Sequence, residues 1–145
     1  MTLIRLLGFA IVANFAIGEA AAQSIIDLKG TWVGTFQGIM DGPAAHHPVP
    51  DAPGSKPAGR FHLGEQPFTF KIEGQDGRRF WGTVGSPHRA ERLIGSVSMN
   101  GKSIYMVDDD GYLDGTVVDA TTLEVCYRQV GTATTGVSCG SIQKK

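Results

Sequence analysis

Along most of this chain, large apolar side chains recur at every second position. Leu28, Gly30, Trp32, Gly34 and Phe36 alternate with Lys29, Thr31, Val33, Thr35 and Gln37, a period of two that sets one group on a single face of an extended strand. Phe68, Phe70 and Ile72 repeat the pattern, Asp76-Gly77 interrupts it, and Phe80, Gly82 and Val84 resume it, which predicts a hairpin. Leu93, Gly95 and Val97 lead to Asn100-Gly101, and Ile104 and Met106 follow. Asn-Gly predicts a type I′ turn, with positive φ at both residues. Asp109-Asp110-Gly111 forms the next turn, followed by strands at Leu113 to Val118, at Leu123, Val125 and Tyr127, and at Val137 to Ile142. No segment carries a helical period.

Eight short strands in sequence can bury one face only by packing two sheets or by closing on themselves. Nearly every connection reads as a hairpin, so the expected fold is all-β: an antiparallel up-and-down barrel of about eight strands, which leaves no exposed edge. The phase of the alternation puts Trp32, Phe36, Phe70, Phe80, Val97, Ile104 and Met106 inside. A barrel of this size is either filled by side chains or holds one small ligand. Twenty glycines among 145 residues fit many turns and tight coiling. Because Gly30, Gly34, Gly82 and Gly95 share the inward face, they leave room for a pocket for a small hydrophobic ligand lined by those seven residues, floored by Trp32. Ser96, Ser98 and Tyr105 fall on the opposite face, and Trp81 lies opposite Phe80.

The first 22 residues read as an address. Arg5 precedes an apolar run from Leu6 to Ile17, and Ala20-Ala21-Ala22 supplies the small residues of a cleavage site, so residues 1–22 are expected to be a signal peptide and 23–145 a single exported domain, periplasmic or secreted. The run is shorter than the roughly 20 residues a membrane helix needs, and no membrane association is expected after cleavage. Protein isolated from the native cell envelope should therefore begin near Gln23, and an intact mass that retains Met1 would contradict the assignment. Cys126 and Cys139 lie in the exported part, where thiols tend to pair. A hairpin tipped at Thr132-Ala133 would set the two directly opposite each other.

Five of the prolines, Pro43, Pro48, Pro50, Pro53 and Pro57, fall between Met40 and Gln66 with several glycines. That composition predicts a surface loop over 40–66 with neither ladder nor helix. His46 and His47 lie in it as neighbours that point to opposite sides of an extended chain, and His62 and His88 complete no ligand set, so no metal or cofactor is expected. The acidic run Asp108, Asp109 and Asp110, with Asp114, lacks the spacing of a calcium loop and reads as a solubilising turn. No nucleophile elbow, zinc helix or phosphate loop is present, and Glu73 and Glu124 fall on outward positions, so no enzymatic activity is expected. With 13 Lys and Arg against 14 Asp and Glu, a net charge of −1 and no basic stripe, nucleic acid is not an expected partner.

The triplet Gly30-Thr31-Trp32 at the head of the first strand, preceded by Leu28 and followed by a meander of hairpins, resembles the G-x-W start of the calycin barrels, the lipocalins and avidins. The resemblance implies a tryptophan closing one barrel end, a basic residue near the last strand for which Lys144 or Lys145 would serve, and carriage of a small hydrophobic or planar ligand. Small exported calycin-like barrels with one disulfide also resemble bacterial metalloprotease inhibitors. That likeness implies a protein-interaction module with a packed barrel, whose segment Gln23 to Asp27 would insert into a partner. The volume of the interior discriminates between carriage and interaction.

Overall fold

The computed structural model describes residues 24–42, 56–58, 61–132 and 134–145. Nine antiparallel strands occur among them: β1 (Gly30–Asp41), β2 (Lys56–Ala58), β3 (Phe61–Asp76), β4 (Arg79–Ser86), β5 (Arg89–Val97), β6 (Ser103–Val107), β7 (Gly111–Val117), β8 (Thr122–Val130) and β9 (Thr135–Lys144). From β3 to β9 each strand pairs with the next, and β1 closes the ring by pairing with both β9 and β3. The result is the expected all-β, eight-stranded, closed up-and-down barrel, with β2 outside the ring as a short addition to β3.

The interior follows the phase of the alternation. Trp32, Phe36, Phe70, Phe80, Val97, Ile104 and Met106 are all buried, together with Leu28, Ile72, Val84, Leu93, Leu113, Leu123, Val125 and Ile142. Two inward glycines lie against aromatic rings, a Cβ on Gly95 standing 2.3 Å from Phe80 and one on Gly140 2.8 Å from Phe36, whereas at Gly34 and Gly82 it would meet the backbone of the neighbouring strand. At Gly95 and Gly140 the space left by the missing side chain is taken up by a ring, in line with the close packing of protein interiors. A side chain at Gly95 must displace Phe80, so Gly95→Val is expected to cost about 1–3 kcal/mol in chemical denaturation. A midpoint equal to wild type would contradict the packing.

Three details depart from the sequence-based expectation. The Pro-rich stretch is shorter than 40–66: Met40 and Asp41 extend β1, residues 61–66 begin β3, and Lys56, Pro57 and Ala58 make a ladder with Leu63, His62 and Phe61. Among the described residues β2 pairs with β3 alone, the edge position at which a strand tolerates proline. The Asn100-Gly101 turn is not type I′. Of the two, Gly101 takes a positive φ, of 69°, and Asn100 does not, because the Asn100 carboxamide oxygen accepts the amides of Lys102 and Ser103 and holds a longer loop between Val97 and Ile104. Third, a bulge lies in β3 between Ile72 and Gly74, which the simple alternation did not reveal.

Cys126 and Cys139 are cross-strand partners in β8 and β9, bonded with their Cα atoms 4.1 Å apart. The bridge lies on the outer face, as their odd spacing from Val125 and Ile142 requires. It is compatible with an oxidising compartment.

Candidate functional site

The two ends of the barrel differ in chemistry. At the first end Trp32 is fully buried and its indole N–H donates to the Leu28 carbonyl at 2.8 Å. The Lys144 ammonium lies 5.4 Å from the centre of the indole ring and donates to the Asp27 carbonyl at 2.8 Å. The Gln75 carboxamide clamps the entering chain, accepting from the Leu28 amide and donating to the Ile26 carbonyl. Of the residues 23–27 that the inhibitor resemblance implies would insert, Ile26 and Asp27 are thus tied down, and Gln23 lies outside the described residues.

The other end is polar. Glu91 in β5 points inward and is 4% exposed, with the Arg89 guanidinium 2.8 Å from its carboxylate. Asp108 accepts the amides of Asp110 and Gly111, and the Tyr127 hydroxyl donates to Asp110 at 2.8 Å. One carboxylate oxygen from each of Glu91, Asp108 and Asp110 lies within 4.8 Å of the others. That spacing suits a hard divalent cation bound through oxygen, although the arginine, tyrosine and backbone donors already balance much of the negative charge. The alternation contained this signal: Glu91 continues the inward set Leu93, Gly95 and Val97, and Asp108 continues Ile104 and Met106. The acidic run reads as a solubilising turn from composition, and only the phase shows that one of its members turns into the barrel.

Burial pushes the Asp108 carboxyl above its usual range, with the Asp110 charge adding to the effect and the amide hydrogen bonds opposing it. Burial and the hydrogen bond to Asp110 push the Tyr127 phenol up as well, so it remains a donor. A raised carboxyl pKa means that the folded state holds its proton more tightly than the unfolded chain. This contribution to stability is therefore lost as pH rises from about 4 through the raised value. Asp108→Asn keeps an oxygen acceptor for the two amides and removes that loss, so its melting temperature should gain on wild type as pH rises from about 4 toward neutrality. A difference independent of pH would refute this.

Among the described residues, fifteen buried apolar side chains form one core cluster between the ends. One void of about 10 Å³ is lined by residues that include Trp32, Ile72, Phe80 and Met106, and another of about 10 Å³ lies at the polar end beside Phe36, Phe68, Phe70 and Tyr127. Each has about the volume of one water molecule. The seven expected lining residues are brought together in one buried cluster. Phe36 packs edge-on to Phe68 and stacks beside Phe70 at ring separations of 5.1 and 6.1 Å.

The outer surface carries what the interior lacks. Trp81 in β4 pairs with Ile94 in β5, Ile94 with Val107 in β6, and Val107 with Tyr112 in β7. They form one apolar row across four strands, and Tyr105 is the next outward residue on β6. Trp81 is 48% exposed, Ile94 60%, Tyr105 58% and Tyr112 62%. The Trp81 indole lies against the bulge at Gly74, where a Cβ would stand 2.2 Å from the ring. Ser96 and Tyr105 are cross-strand neighbours on this outer face and are turned away from the interior. His62 lies in β3 and His88 in the exposed β4–β5 turn, while His46 and His47 lie outside the described residues.

The fold defines a class, the closed antiparallel eight-stranded barrel, whose tryptophan-plugged end is compatible with a calycin-like architecture. The sequence matches no family model, and comparison with curated proteins and with solved structures gives no significant match.

Proposed function

We propose that this protein is an exported, calycin-like interaction module that uses the outside of its barrel, with recognition centred on the outer face of β4 to β7. The observation that carries this reading is the contrast between the two core voids lined by described residues, each of only about 10 Å³, and an exposed row of Trp81, Ile94, Val107 and Tyr112. With about half of each of five large side chains open, and about 150–250 Å² on an aromatic side chain, the patch is on the order of 500 Å². That lies at the upper end of what monomeric proteins expose. Tryptophan and tyrosine also dominate the energetics of protein interfaces. The disulfide and the apolar leader are consistent with export.

A photo-activatable residue in place of Tyr105, introduced in the native cell, tests this reading. The expected result is a covalent adduct to a protein chain, with no adduct when the probe replaces Glu124 on a polar part of the outer surface. The competing reading is carriage of a small hydrophobic ligand, which requires Phe36 and Phe68 to part at the polar end. Fatty acids, flavonoids, haem and biotin would then raise the melting temperature and shift tryptophan fluorescence. That outcome, with no adduct at Tyr105, would replace the interaction reading.

A further inference from the structure

We infer that the partner of the β4–β7 face is a second copy of this chain, docked across a two-fold axis that runs parallel to the strands between β5 and β6. The inference rests on the docking role proposed for this face and names its occupant. Two adjacent rows of outward residues cross these four strands in register. One reads Trp81, Ile94, Val107, Tyr112 and the other Arg79, Ser96, Tyr105, Asp114. A two-fold axis in this orientation keeps each row at its level and reverses its order, so β4 faces β7 of the partner and β5 faces β6. Trp81 then meets the partner's Tyr112, Ile94 meets the partner's Val107, and Ser96 meets the partner's Tyr105 hydroxyl. Arg79 meets the partner's Asp114, twice per dimer. Every apolar position finds an apolar one, and each charge finds its opposite.

Two further observations fit a second copy. Barrels are convex, so two of them facing each other diverge away from the axis. Here the smaller side chains, Ile94 and Val107, lie on the central strands, while the larger Trp81 and Tyr112 lie on the flanking strands where the gap widens, Trp81 resting against Gly74 of its own barrel. Two patches of the estimated size bury on the order of 1,000 Å² before the polar rim is counted, about the threshold for a specific interface. The net charge of −1 gives two copies little reason to repel. Arg79 and Asp114 now pair within the chain, with Asp76 and Arg128 respectively, in exposed ion pairs of the kind that contribute little and can exchange partners.

The test uses the mature chain with its disulfide intact, followed by sedimentation equilibrium from micromolar to millimolar concentration. Wild type should be dimeric and Ile94→Glu monomeric, with melting temperature and far-ultraviolet circular dichroism showing that the variant, altered at an exposed position, remains folded. Arg79→Glu alone and Asp114→Arg alone should each weaken the dimer by at least roughly tenfold, because each places two like-charge pairs across the axis. An equimolar mixture of these two variants should recover dimers, since every pair across the axis then becomes opposite in charge. A dimer that withstands Ile94→Glu, or a mixture that fails to recover, would overturn this arrangement. A wild-type monomer that forms an adduct with a different chain at Tyr105 would overturn the second copy and leave the docking role standing. A monomer with no adduct would end both.

Discussion

Trp32→Ala is expected to destabilise the protein by about 3–5 kcal/mol, the usual cost of deleting a fully buried large aromatic. The indole is the widest side chain in the core and closes one barrel end, so its loss removes packing against Leu28, Phe70 and Ile142 together. It also removes the donor that the Leu28 carbonyl now uses and the ring over which Lys144 lies. Trp32→Phe keeps a ring but lacks the N–H and the second ring, and should fall between wild type and the alanine variant. Urea denaturation followed by circular dichroism reads all three. A loss below about 1 kcal/mol for the alanine variant would mean that this end is not packed as described.

Replacing both cysteines with serine should cost about 3 kcal/mol, as expected when a link across a separation of 13 residues no longer limits the unfolded chain. For a domain of this size that corresponds to a fall of roughly 10 °C in melting temperature. The β8–β9 ladder continues on both sides of the bridge, so the native fold itself should survive reduction. Wild type melted with a reductant should match the double variant, and a melting temperature insensitive to both treatments would show that the cysteines contribute little to stability.

The fold was legible because a small barrel with one wet face writes a period of two along each strand. With Trp32, Phe70, Phe80 and Ile104 on one face the inside follows, and the pairing of Cys126 with Cys139 follows separately from the hairpin tipped at Thr132-Ala133. The pattern did not distinguish a pocket from a packed core. Whether Gly95 leaves a hole depends on the angle at which Phe80 reaches across the interior, a three-dimensional quantity that alternation does not encode. The exposed apolar row was legible only in part: Trp81 reads as lying opposite Phe80, but its alignment with Ile94, Val107 and Tyr112 depends on the registers of three hairpins and on the bulge at Ile72–Gly74. The loop between Val97 and Ile104 illustrates the limit, since Asn100 spends its side chain on local amides instead of adopting a positive φ.

The closure of the ring has a kinetic consequence. From β3 to β9 each strand meets its neighbour across a short connection, whereas β1 must find β9 across about three-quarters of the chain, with Gly34 opposite Ile142. Local hairpins cost little loop entropy, so they should assemble first, and the docking of β1 should set the folding rate. Until it docks, β3 and β9 are open edges with unpaired backbone groups, and β1 of a neighbouring molecule can fill the gap as well as the molecule's own. Refolding at high concentration should therefore yield strand-exchanged species whose proportion grows with concentration, and the first strand acts as the latch that makes each barrel its own.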